Sequence, residues 1–145
     1  MGWVSMVWQV VKPLRPHPLA VGQARNFCTR RLSSVLEDRG DVDDAVHDAA
    51  TIASELVTNA VTAGSSAIEL FLGLQESSVR IEVADDAAGA VVPANPAPTD
   101  PKGRGLVIVA ALAIDWGVAA DHGTKQVWAE VAIPPRMSSP TGSPR

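Results

Sequence analysis

The sequence is short of cysteine, of long apolar runs and of net positive charge, and each shortage removes a class of protein. Cys28 stands alone among 145 residues, so neither a disulfide framework nor a cysteine-based zinc site can be built. A reducing, cytoplasmic setting is the expectation. No apolar run approaches the roughly 18 residues that span a bilayer. The apolar N-terminal stretch holds Trp3, Val4, Met6, Val7, Trp8, Val10 and Val11, but it lacks the basic start and small-residue cleavage site of a signal peptide. With a formal net charge of −4, the balance argues against direct nucleic-acid binding.

What is present suits one globular domain. Apolar residues make up 46% and charged residues 19%, and a chain this long buries roughly 68–70% of its extended surface without a metal or disulfide. The charge is unevenly spread. Residues 1–40 carry six basic and two acidic side chains, residues 41–100 one and eleven, and residues 101–145 five and three. An acidic middle lies between two basic flanks.

Periodicity gives the elements. Met6–Val11 reads as a strand closed by the Pro13, Pro16 and Pro18 cluster. From Pro18 to Arg39, Ala20, Val21, Ala24, Phe27, Cys28, Leu32 and Val35 recur at helical spacing, and Gly40 stops the helix. A second helix runs from about Val42 to Ala63, with Asp41, Asp43 and Asp44 at its positively polarised start and Gly64 after its end. Ile68–Leu74 and Val79–Val83 alternate as a hairpin turning at Gln75–Ser78. Residues 86–102 show no periodicity and hold four prolines, which in a compact domain means either a wrong assignment or a functional lid; the family resemblance given below implies the lid. Gly105–Ala113 is apolar all round, as a short buried helix would be. Trp116–Ala119 and Gln126–Ile133 form a second antiparallel pair. This divides the chain into a strand and Pro-rich lead-in over 1–17, a domain over 18–133, and a disordered tail over 134–145.

Three places can carry chemistry. On the second helix Asp48, Thr51, Glu55, Asn59 and Thr62 share one stripe, opposite Val46, Ala49, Ala53, Leu56, Val57 and Ala60. Such a stripe alone reads as a solvent face, yet residues 45–63 contain no Lys or Arg and only two acids. Glu55 and Asn59, four apart, set a carboxylate beside an amide oxygen, a base next to a hard-cation ligand. Asp85 and Asp86 leave a strand into a glycine-containing loop, which on its own is an ordinary acidic turn. Gly103-Arg104-Gly105 opens a helix, where free N–H groups cradle phosphate. His17, His47 and His122 have no second ligand at metal spacing. Cys28 reads as core. Trp116 and Trp128 read as cover for the sheet, and Trp3 and Trp8 as part of a dimer surface.

In order, these features resemble the ATPase fold shared by gyrase B, histidine-kinase catalytic domains and sporulation-type anti-sigma kinases (the GHKL group). Ser54-Glu55-Leu56-Val57-Thr58-Asn59-Ala60-Val61 and Gly103-Arg104-Gly105-Leu106 look most like the small bacterial anti-sigma-factor serine-kinase branch. The resemblance implies an α+β, two-layer Bergerat-type sandwich: a mixed or antiparallel sheet covered on one face by about three helices. It implies ATP and Mg²⁺ as cofactors, Glu55 as general base and Asn59 as the Mg²⁺ ligand. Asp85 would accept from the adenine amino group, Gly89 would shape the adenine pocket, and Gly103, Arg104, Gly105 and Leu106 would wrap the phosphates. Its partners would be a sigma factor or equivalent regulator and an anti-sigma antagonist, with the chain as a homodimer. Three positions depart from the pattern. Ala87 replaces the first glycine after Asp85, Ala63 replaces the His or Arg four residues after Asn59, and Gln126 replaces a Thr before the last strand's Val127. They leave open a binding module without kinase activity.

Overall fold

Strict alternation of apolar residues builds the sheet. The computed structural model describes residues 6–87, 104–121 and 123–135. In chain order its elements are β1 (Trp8–Leu14), α1 (Leu19–Val35), α2 (Asp43–Thr62), β2 (Ile68–Leu74), β3 (Ser78–Asp85), α3 (Arg104–Leu112), β4 (Asp115–Asp121) and β5 (Thr124–Ala132). The strands form one antiparallel sheet in the order β1-β2-β3-β5-β4. Leu72 lies opposite Val10 and Ile81, and Ile81 lies opposite Ala129. Residues paired across strands share a face, so these side chains stack in one layer.

The three helices cover that face. α2 is central and buries Val46, Ala49, Ile52, Ala53, Leu56, Val57 and Ala60, the side opposite the polar stripe. α1 packs on α2 through Ala20, Ala24, Cys28 and Leu32, all buried at four-residue steps. α3 lies against α2 and β4 on the other flank. Burying a side chain such as Leu70, Leu72 or Ile81, each fully buried here, contributes about 1.5–3 kcal/mol. Gly64, at φ 85°, ends α2: a left-handed residue there lets the Ser65 N–H reach the Ala60 carbonyl at 3.3 Å.

The sheet is purely antiparallel, and several sequence boundaries move. β1 does not stop before Pro13 but continues to Leu14, with Pro13 opposite Glu69. It is an outer strand, where a missing donor is tolerated. α1 ends at Val35, short of Arg39. Arg39 is drawn out of the helix into a buried clasp, with Nη1 donating to the Glu76 and Pro134 carbonyls at 2.9 and 3.0 Å. α3 is not buried all round, since Leu106 and Val109 face the core while Val107 is exposed. β3 starts at Ser78, β5 at Thr124.

The tryptophans divide between the faces. Trp116 packs against the core, as does Trp8, which turns toward α1 rather than outward. Trp3 lies outside the described residues. Trp128 covers the helix-free face under the Arg80 guanidinium, 4.2 Å away. Arg80 also pairs with Glu82 and Glu130 at 3.3 and 3.1 Å.

Candidate active site

Helical spacing puts Glu55 and Asn59 on one side of α2, and the packing of α3 decides what they face. A Cβ placed on Gly105 would lie 3.0 Å from Glu55 Oε1 and 3.4 Å from Asn59 Oδ1. Both side chains therefore press on the bare backbone at the first turn of α3. The polar stripe is not a solvent face at that point. Asp48, Thr51, Glu55 and Asn59 are all half-buried, and Thr62 alone in the stripe is exposed. Neighbouring hydroxyls are satisfied within the helix, Ser54 Oγ donating to the Ala50 carbonyl and Thr58 Oγ1 to that of Ser54.

The first N–H groups of a helix have no partner inside it and carry partial positive charge. At α3 these belong to Arg104 and its successors, and Gly105 brings no side chain of its own to shield them. Leu106 anchors this turn by its buried side chain. Carboxylate, amide oxygen and backbone donors thus converge on one small volume.

Asp85 ends β3 on the helix-covered face, opposite Ile68 on one side and Lys125 on the other. It is buried. Its Oδ1 accepts from the Ala87 N–H at 2.8 Å, and its Oδ2 lies 3.9 Å from Lys125 Nζ. The connection from Thr62 to Ile68 brings the C-terminal end of α2 to this same end of the sheet. Asp86 points elsewhere. Its carboxylate accepts from the Ser66 hydroxyl and from the Ser66 and Ala67 N–H groups at 2.7 and 3.0 Å. Those bonds, the Ser66 hydroxyl first, hold its carboxyl below the usual aspartate range.

Residues 17–130 match the sequence profile of the histidine kinase-like ATPase domain. The chain belongs to that family. A comparison with functionally curated proteins found no significant match. Among solved structures, this histidine kinase-like ATPase is similar to the RsbU and RsbW domains of Rv1364c from Mycobacterium tuberculosis, with a TM-score of 0.65 and 20% identity over 92% of this chain. It spans 34% of the length of that chain. The likeness establishes the shared fold.

The helix-covered antiparallel sheet agrees with the histidine kinase-like ATPase family and with the shared fold. Of the residues expected to form its site, Glu55, Asn59, Gly105 and Leu106 come together, and Asp85 takes a buried place at the strand end. For Arg104 the backbone position is described, opening α3. Gly89, Gly103 and all but the first two residues of the 86–102 lid lie outside the described residues, as do His122 and the tail beyond 135. His47 is exposed, and the His17 Nδ1 accepts from the Leu19 N–H at 3.1 Å. Among the described residues no group of three His, Cys, Asp or Glu side chains can hold a metal alone. One amide oxygen and one carboxylate nonetheless fit Mg²⁺, which commonly takes few protein ligands and completes its shell with phosphate oxygens and water. Also among the described residues, no helix is long and apolar enough to cross a membrane.

Lys125 and the Asp86 anchor were not singled out in the sequence. The anchor follows from the hairpin: once Leu74 faces Val79, Ala67 must face Asp86. Lys125 had no such local signal, because β3 and β5 are joined by a long excursion through α3 and β4.

Proposed function

We propose that this domain binds Mg-ATP between α2 and the start of α3 and passes the terminal phosphoryl group to a serine or threonine hydroxyl of a protein antagonist. Glu55 is the base, Asn59 the Mg²⁺ ligand, Asp85 the acceptor for the adenine amino group, and Gly103, Arg104, Gly105 and Leu106 the phosphate wrap, with Gly89 shaping the base pocket. The observation that carries this reading is the approach of Glu55 and Asn59 to the side-chain-free Gly105. It puts a proton acceptor and a hard oxygen ligand where helix N–H groups meet an anion, the electrostatic arrangement phosphoryl transfer needs.

In the transfer the hydroxyl oxygen bonds to phosphorus as the bond to the bridging oxygen of ADP breaks, and Glu55 takes the hydroxyl proton. Mg²⁺, held by Asn59, would supply neutralisation of charge on the phosphate oxygens. Phosphate on the antagonist then drives it off by charge and desolvation. The freed kinase, as a homodimer in the cytoplasm, holds a sigma factor or equivalent regulator. The motif resemblance given above supports these partners.

A second reading, nucleotide held without transfer, rests on two positions. Ala87 sets a half-buried methyl beside Asp85, and Ala63 ends α2 as an exposed residue with no polar group. Calorimetry with Mg-ATP comes first, and absence of heat sinks both readings. Incubation with labelled ATP and antagonist domains then separates them. Glu55→Ala is expected to keep nucleotide affinity and lose transfer about a hundredfold or more; unchanged transfer removes Glu55 from the base role.

A further inference from the structure

A groove of about 440 Å³ lies at the outer flank of α1, on the far side of α2 from α3, lined by Lys12, Gln23, Asn26, Phe27, Arg30 and Arg31. Five of these residues are spaced by three, four, seven and eight from Gln23, so they form one stripe of α1. The sixth, Lys12, rises from the outer strand β1. Three cations converge, and among the described residues no carboxylate lines the groove. Phe27 gathers two of them: Lys12 Nζ lies 5.4 Å and the Arg31 guanidinium carbon 5.5 Å from the ring centre. Arg31 also stands 5.9 Å from the Trp8 ring. The aromatic faces offset some of the repulsion between like charges and hold the cations in place while leaving their donors free.

We propose that this groove docks a short acidic segment of a protein partner. The stripe rises about 12 Å along α1, longer than a single phosphate requires and suited to two or three carboxylates in succession. Arg30 and Arg31 present guanidinium forks that match carboxylates in pairs. Gln23 and Asn26 each offer a donor and an acceptor, as a peptide backbone needs. An extended nucleic acid fits poorly, because the basic stripe is short and the chain continues at once into Glu37, Asp38, Asp41, Asp43 and Asp44. The groove is separate from the nucleotide site, so this inference does not depend on the function proposed above.

The test uses the full chain and a fluorescein-labelled Glu-rich decapeptide, with its Gln counterpart as control, followed by fluorescence anisotropy at low and at physiological salt. Saturable binding of the Glu peptide is expected, weakened by salt and absent for the Gln peptide. Arg30→Gln/Arg31→Gln should weaken it at least tenfold, with the thermal melt within a few degrees of the parent, since both arginines are exposed. Lys12→Gln, from a different element, should also weaken it. Lack of saturation, or equal binding by these variants, overturns the proposal. So does tighter capture, through the same residues, of a single-stranded oligonucleotide or of phosphatidylserine vesicles.

Discussion

Lys125 and Asp85 face each other across the β3–β5 ladder, with Nζ 3.9 Å from Oδ2. Both side chains are largely removed from solvent. The carboxylate keeps one oxygen on the Ala87 N–H and the other toward the ammonium, yet each oxygen has a second lone pair for an incoming amino group. Lys125→Met leaves a buried carboxylate with one donor. It should lower unfolding free energy in urea by about 1–3 kcal/mol. The double variant with Asp85→Asn should recover part of that loss, the non-additivity of a coupled pair. Additive losses would mean that the two charges do not interact.

Gly105→Ala separates stability from function. Alanine is favoured over glycine inside a helix by up to about 1 kcal/mol, and the new methyl meets the ends of flexible Glu55 and Asn59 side chains rather than backbone. They can swing away, so the thermal melt should stay within a few degrees of the parent. Nucleotide affinity should fall at least tenfold, because the swing removes carboxylate and amide from the helix start. Unchanged affinity would place the phosphates elsewhere.

The same contact marks the limit of what the sequence displays. Glu55 and Asn59 share a helical face by spacing alone, and the hairpin register follows from alternation around Gln75–Ser78. Local periodicity carries both. That α3 folds back so that Gly105 meets those side chains is a tertiary fact with no local periodicity behind it. Arg39 shows the converse: its helical pattern is overridden by two carbonyls, Glu76 and Pro134, that are distant in the chain. The end of β1 differs from its local pattern for another reason. Proline breaks a central strand but not an outer one, and strand order cannot be seen in a local window.

Asp86 should give the fold an acid-sensitive corner. Its carboxyl is held below the ordinary range, so its contribution is present above the unfolded value of about 3.9 and lost as pH falls through the lower folded value. Asp86→Asn should therefore melt below the parent at neutral pH, with the difference shrinking in acid. A difference independent of pH would assign the loss to packing rather than to charge.

Burial pushes the Cys28 thiol up to about 12, with Arg25 opposing the shift. The native protein should not react with a thiol reagent at pH 8 and should titrate one thiol after unfolding. The unfolded chain ionises at about 8.5, so this residue's contribution to stability is complete below that pH and declines from there toward the folded value. Cys28→Ala should flatten that alkaline decline. Rapid labelling of the native protein would show that α1 opens from α2.

Strand order also fixes when the site can exist during synthesis. β5, the last of the described strands in chain order, sits between β3 and β4 and supplies Lys125. Until it leaves the ribosome, β4 has nothing to pair with, and α3, which packs on β4 as well as on α2, lacks part of its support. A nascent chain arrested at residue 121 can form the helix bearing Glu55 and Asn59 but lacks the strand that holds β4, and through it α3, in place. The meeting of Gly105 with Glu55 and Asn59 is thus secured only once β5 has joined the sheet.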